Sequence, residues 1–106
     1  LKQHAKALTT ALLKIDTATK AAWSTGKAAE ALANAVPYMQ AFGHVVLAWI
    51  WLDVGITCAG KTDDASVGRL GAMQFFFNYE LPKIDAWLNV VSSRDPTCAN
   101  LPEASF

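Results

Sequence analysis

The chain has 106 residues, enough for a single domain with one core. Hydrophobic residues make up 53 % and charged residues 17 %, a more apolar balance than that of an ordinary soluble domain. Nine basic and nine acidic side chains cancel, so there is no cationic excess to bind nucleic acid or anionic lipid.

The first segment places Leu1, Ala5, Leu8, Leu12, Ile15, Thr19 and Ala22 at alternating steps of four and three. That spacing predicts one face of a helix. Lys2, Lys6, Lys14 and Lys20 fall between them as a solvated face, and His4 is expected to lie exposed among these lysines. Ser24-Thr25-Gly26 ends the helix, with Gly26 suited to a left-handed cap.

A second helix is expected from about Lys27 to Ala59, kinked or briefly broken at Pro37. Tyr38, Phe42, Val45, Trp49, Leu52 and Ile56 repeat at helical spacing and are expected to form its core stripe. Gln40, His44, Leu47 and Trp51 lie on another side, which is also largely apolar. A helix apolar all round is buried all round or lies in lipid. No Asp, Glu, Lys or Arg occurs from Ala31 to Leu52, long enough to cross a bilayer. Asn34, Pro37, Gln40, Gly43 and His44 interrupt its first half, however, and the strictly apolar Val45–Leu52 is too short. A soluble core helix is therefore expected, with no membrane span.

Thr62-Asp63-Asp64 is a helix N-cap signal with acidic residues at the positive end of the dipole. Val67, Leu70, Phe77, Leu81, Ile84, Leu88 and Val91 follow at helical spacing. Pro82 predicts a kink within that run, and Ser92-Ser93 closes it. The tail from Arg94 onward has two prolines and no period, and is expected to be mostly extended.

Gly55, Gly60, Lys61 and Thr62 complete the letters of a phosphate-binding loop, G-x-x-x-x-G-K-[ST]. Such a loop needs a strand before it and further parallel strands around it, and helical periodicity occupies both flanks. The same letters suit a helix end followed by the next cap. Nucleotide binding at Gly55–Thr62 is thus the third reading of function.

Catalytic patterns are sparse. His44 has no companion at metal-ligand spacing. His44 and Cys58 are fourteen positions apart on one expected helix, about 21 Å along its axis, too far for a nucleophile and its base. Asp63-Asp64 reads as a cap and Glu80 as a solvated helix charge. Trp23, Trp49, Trp51 and Trp87 are read as core aromatics ahead of a cofactor pocket. Cys58 and Cys98 are too few for a disulfide framework and are read as free thiols of a reducing, cytoplasmic compartment.

Two blocks carry a resemblance. "ANAVPYMQAFGHVVLAWIW" is similar to a core pattern A-x-P-Y-L-x-x-F-G-x-V-x-x-G-W, matched by Pro37, Tyr38, Phe42, Gly43, Val45 and Trp49, with Met39 for Leu and Ala48 for Gly. "MQFFFNYELP" is similar to A-R-F-Y-A-E-x-L-L-P at Phe75, Leu81 and Pro82, with Phe76 near the Tyr; Gln74 and Asn78 depart from it. A terminal "DPTC" segment follows. Together they resemble the C-terminal domain of larger acyl-CoA dehydrogenases, nearest the methylmercaptopropionyl-CoA dehydrogenase-like branch, over most of the chain beyond Ala22.

The resemblance implies an all-α bundle appended to a flavoenzyme that oxidises an acyl-CoA to its 2-enoyl-CoA. In that family a glutamate base, the thioester site and FAD belong to the preceding domains. No catalytic, cofactor or metal residue carries over to this chain, and the domain is expected to be inert alone. Leu1 in place of Met is consistent with a C-terminal fragment of a longer chain. The preceding domains are the expected partner, with homo-oligomerisation through the parent.

The expected fold is therefore a single all-α domain over residues 1–106: an antiparallel up-and-down bundle of three long helices, four if Pro37 breaks the second. Tyr38, Phe42, Val45, Trp49, Leu52 and Ile56 would fill the core, and Gln40, His44, Leu47 and Trp51 would form a docking face. A stand-alone bundle that binds an apolar ligand or partner is the alternative.

Overall fold

The computed structural model describes all residues, 1–106. It is all-α, with three long rods running up, down and up. α1 spans Lys2–Ala22, α2 Ala28–Ala31, α3 Ala35–Cys58 and α4 Asp64–Phe75. A π turn over Phe76–Glu80 and a 3₁₀ turn over Leu81–Lys83 join α4 to α5, Ile84–Ser93. α6, Thr97–Asn100, and a 3₁₀ turn at Glu103–Ser105 follow.

The rod ends are set locally, as the sequence indicated. Gly26 takes φ 72° and donates its N–H to the Trp23 carbonyl at 2.9 Å, closing the turn after α1. Gly60, at φ 77°, turns the chain after α3, where the Lys61 N–H donates to the Cys58 carbonyl at 3.1 Å. Asp63 is the N-cap of α4, its Oδ2 accepting from the Ser66 N–H at 3.1 Å. The Ser66 side chain first, and its N–H second, hold the Asp63 carboxyl below its ordinary range.

Pro37 neither kinks nor breaks a helix. Asn34 is the N-cap of α3, so Pro37 sits in the first turn, where its missing N–H would have had no partner. The break lies earlier, at residues 32–34, and leaves α2 as a separate single turn. The second proline is accommodated differently. The Leu81 N–H reaches back five residues to the Phe76 carbonyl, widening the helix just before Pro82. The 3₁₀ turn then tightens it. Underwinding and overwinding nearly cancel, so the apolar face keeps its direction from α4 into α5. The tail is not extended. Pro96 starts α6 at a position that needs no N–H, and the Asn100 N–H closes that turn on the Pro96 carbonyl at 2.8 Å.

The core runs along steps of four and three on each rod. α5 and the turns before it supply Phe77, Leu81, Ile84, Leu88 and Val91, as the spacing predicted. Met73 and Phe76 are buried above them, whereas Val67 is exposed. On α1 the buried set is His4, Leu8, Ala11, Ile15, Ala18 and Ala22, rotated from the expected stripe. His4 is only 7 % exposed, its ring edge-on to Phe77 at 5.0 Å.

On α3 the buried set is Ala41, Val45, Ala48, Leu52, Gly55 and Cys58. Only Val45 and Leu52 of the expected core stripe belong to it. Tyr38 is half-buried, and Phe42, Trp49 and Ile56 are 45 %, 64 % and 60 % exposed. The reason is size. A seam of Ala and Gly lets helix backbones approach closely, which the bulky stripe would prevent. Gly55 shows how closely: a Cβ there would collide with the Met73 sulfur.

One end of the bundle is tied by polar bonds. Arg94 ends α5 in the left-handed conformation, φ 53°, and its Nη1 donates to the Ala21 carbonyl at 2.9 Å and Ser24 Oγ at 2.8 Å. Asn34 Nδ2 donates to the Asp95 carbonyl at 3.0 Å. α1 lies along α5 and part of α3, so α4 and the last turns of α3 run past its start. The Cα envelope measures 58 × 28 × 15 Å, with a radius of gyration of 17.3 Å.

Candidate docking surface

With the small-residue seam turned inward, the bulky residues of α3 are turned out. Val36, Met39, Phe42, Trp49, Ile50 and Ile56 all lie exposed along it. α1 adds Leu12 and Leu13. Between the two helices runs an open groove of about 350 Å³ lined by Leu8, Leu12, Ile15, Phe42, Val45, Val46 and Trp49, apolar throughout. Above it, Tyr38 bridges the helices. The Thr19 hydroxyl donates to the Ile15 carbonyl at 2.7 Å, so it accepts from the Tyr38 hydroxyl at 2.9 Å. The Tyr38 ring stacks on Phe42.

The four residues expected to form a docking face are divided. Gln40 and Leu47 are exposed. His44 and Trp51 are half-buried against the α4–α5 rod, Trp51 packing on the core. His44 Nε2 lies 3.2 Å from Glu80 Oε2, and Lys83 Nζ lies 2.8 Å from the same oxygen. The imidazole also meets Trp87 edge-on at 4.8 Å and Phe76 at 5.5 Å. Glu80 is therefore an interhelical link rather than a solvated charge. Lys83 first, and His44 second, hold its carboxyl below the ordinary range.

This polar cluster contains no nucleophile, and nowhere do three His, Cys, Asp or Glu residues converge as a metal site would require. Cys58 is buried and Cys98 exposed, both free. Trp51 and Trp87 are half-buried, but Trp23 and Trp49 are not core residues. The segment Gly55–Thr62 forms no phosphate loop. Gly55–Cys58 is the last turn of a helix, with its amides committed to helical bonds, and no strand precedes it. The apolar surface that the geometry leaves open is thus not the expected Gln40–His44–Leu47–Trp51 face but the other side of α3, together with α1.

A family model described as acetyl-CoA dehydrogenase C-terminal like matches residues 1–102. The chain belongs to this family. No curated protein and no solved structure matches it significantly. As an acetyl-CoA dehydrogenase C-terminal-like domain, it is the C-terminal portion of acyl-CoA dehydrogenase-family proteins, an oxidoreductase family. The structure explains part of the motif on which the resemblance rested. In this acetyl-CoA dehydrogenase C-terminal-like chain Pro37 opens α3, Tyr38 ties it to α1, and Ala48, standing for Gly, is wholly buried in the seam. Gln74 and Asn78, which depart from the pattern, are exposed.

Sequence reasoning passed over Val36, Met39, Val46 and Ile50. The signal for them was the uncharged run from Ala31 to Leu52: one helix in a three-rod bundle cannot bury so many apolar residues on every side.

Proposed function

We propose that this domain seats on the preceding domains of an FAD-dependent acyl-CoA dehydrogenase of the methylmercaptopropionyl-CoA dehydrogenase-like branch. The parent converts an acyl-CoA to its 2-enoyl-CoA, with flavin, thioester and base held upstream. The domain contributes shape and contact area but no reacting group. The parent is a cytoplasmic homo-oligomer that binds neither nucleic acid nor membrane. One observation carries this reading: the exposed apolar face of α1 and α3. Contiguous apolar surface of this kind marks an interaction site. α3 has the length and hydropathy of a membrane span. Against that reading stand Asp53, within two turns of its C-terminal end, and its small-residue seam packed on two other helices.

The test is made on the full-length polypeptide. Trp49→Glu is expected to leave the helical content of the domain unchanged and to expose the joint between domain and body to limited proteolysis. A full-length product without flavin absorbance, or proteolysis unchanged by the substitution, overturns the reading. The apolar lining of the α1–α3 groove favours a second reading, an apolar small ligand bound between the helices. Saturable binding of a fatty acid by the 106-residue chain, abolished by Leu12→Glu, would establish it in place of docking.

A further inference from the structure

The two ends of α1 are held unequally. Its C-terminal half is tied by Lys14 to Asp85, by Thr19 to Tyr38 and by the Ala21 carbonyl to Arg94. From Leu1 to Ala7 no side chain makes a hydrogen bond or an ion pair. His4 is the one buried residue of that stretch, with Ala7 half-buried beside it. Leu1 caps the helix without a side-chain bond, and the first turn carries no acidic residue. Two turns of helix thus rest on one imidazole, packed against Phe77 of the π turn.

That imidazole is poorly placed to take a second proton. Nδ1 is sealed from water with no acceptor in reach. The neutral ring therefore carries its proton on Nε2, and an added Nδ1–H would be left unsatisfied. Burial first, and the Leu1 ammonium second, disfavour the charged ring, and the positive end of the α1 dipole adds to both. Burial acts whether or not further chain precedes Leu1. No counter-ion relieves it. Lys2 and Lys6 share its helix, and Asp53 on α3 and Asp64 and Arg69 on α4 are exposed. Glu80 and Lys83 of the turns bond each other and His44, and Asp85 on α5 is taken by Lys14.

We infer that His4 is an acid-released latch: a second proton on its ring frees the first two turns of α1 from the π turn while the rest of the bundle stays folded. A charged Nδ1–H must reach water, and it does so with least disturbance if this singly anchored stretch alone moves. Release uncovers Phe77 and widens the groove that Gln3, Lys6 and Ala7 form with Leu81 and Pro82. The latch holds with or without docking of the apolar face.

Amide hydrogen exchange of the 106-residue chain, read by NMR and corrected for the intrinsic effect of pH, tests the latch. Protection at Ala5–Leu8 is expected to fall severalfold between about pH 7.5 and about pH 5. In low urea that exchange is expected to be nearly flat with denaturant, as a local opening is, and steep at Val45–Leu52. His4→Leu is expected to hold the protection constant across the same pH range, and His44→Gln to leave the fall in place. Protection at Ala5–Leu8 that ignores pH overturns the latch. A fall that persists in His4→Leu, or vanishes in His44→Gln, assigns the proton to another group and overturns it too. Equal urea slopes in the two segments assign the proton to global unfolding and overturn the local release.

Discussion

His4 Nδ1 is a buried side-chain atom without a hydrogen-bond partner. Burial, and then the nearby Leu1 ammonium, depress the pKa of this imidazole below its ordinary 6.5. The folded state therefore holds the ring neutral while the unfolded chain binds a proton. The stability linked to the neutral ring is complete above about pH 6.5 and falls as the pH drops below it toward the folded value. His4→Leu fills the same slot against Phe77 with no orphan nitrogen. It is expected to raise stability by about 1 kcal/mol in urea unfolding, the gain widening as the solution is acidified through that range. Arg94 presents the opposite case, a strained backbone retained for its side chain. A left-handed non-glycine residue costs roughly 1–2 kcal/mol, and charge-assisted hydrogen bonds to Ala21 and Ser24 return a similar amount. Removing the guanidinium while keeping a Cβ is then the worst choice. Chemical denaturation is expected to rank Arg94→Ala least stable, Arg94→Gly intermediate, and the unsubstituted chain highest.

Helix ends could be read because their signals are local. Gly26, Gly60 and Asp63 each announce a cap within a few residues, and each cap is where the sequence put it. Helix faces were harder. Alanine and glycine carry little hydrophobic signal, so the eye follows Phe42, Trp49 and Ile56 and misses Ala41, Ala48 and Gly55 between them. Close packing, which no single chain segment encodes, decides which set goes inside. The same holds for His44 and Glu80, whose link across two rods has no spacing to betray it. The π and 3₁₀ turns were invisible for another reason: their windings offset, so the apolar period crosses Pro82 undisturbed. The seam itself can be tested. Gly55→Ala gains helix propensity of about 1 kcal/mol, but it drives a Cβ into wholly buried Met73, an overpacking cost of roughly 1–3 kcal/mol. Net destabilisation is expected, with Gly55→Val worse. In a double-mutant cycle Met73→Ala is expected to absorb part of the Gly55→Ala cost; simple additivity would show that the two residues do not crowd each other.

The whole molecule is long and flat. A compact 106-residue domain would have a radius of gyration of about 13 Å, against 17.3 Å here. Small-angle scattering of the isolated chain is expected to give a value near 17 Å and an elongated pair-distance profile. A value near 13 Å would mean that α3 and α4 fold back where they overrun α1. Of 106 residues, 20 are buried, and Met73 is the largest side chain wholly sealed from water. A slab 15 Å thick has an interior one side chain deep, so nearly every core residue is a neighbour of the outside world. For such a body the line between folding and assembly is thin: a surface seated on the α1–α3 face would act as a second layer over the slab, shielding side chains that its own thickness leaves next to water.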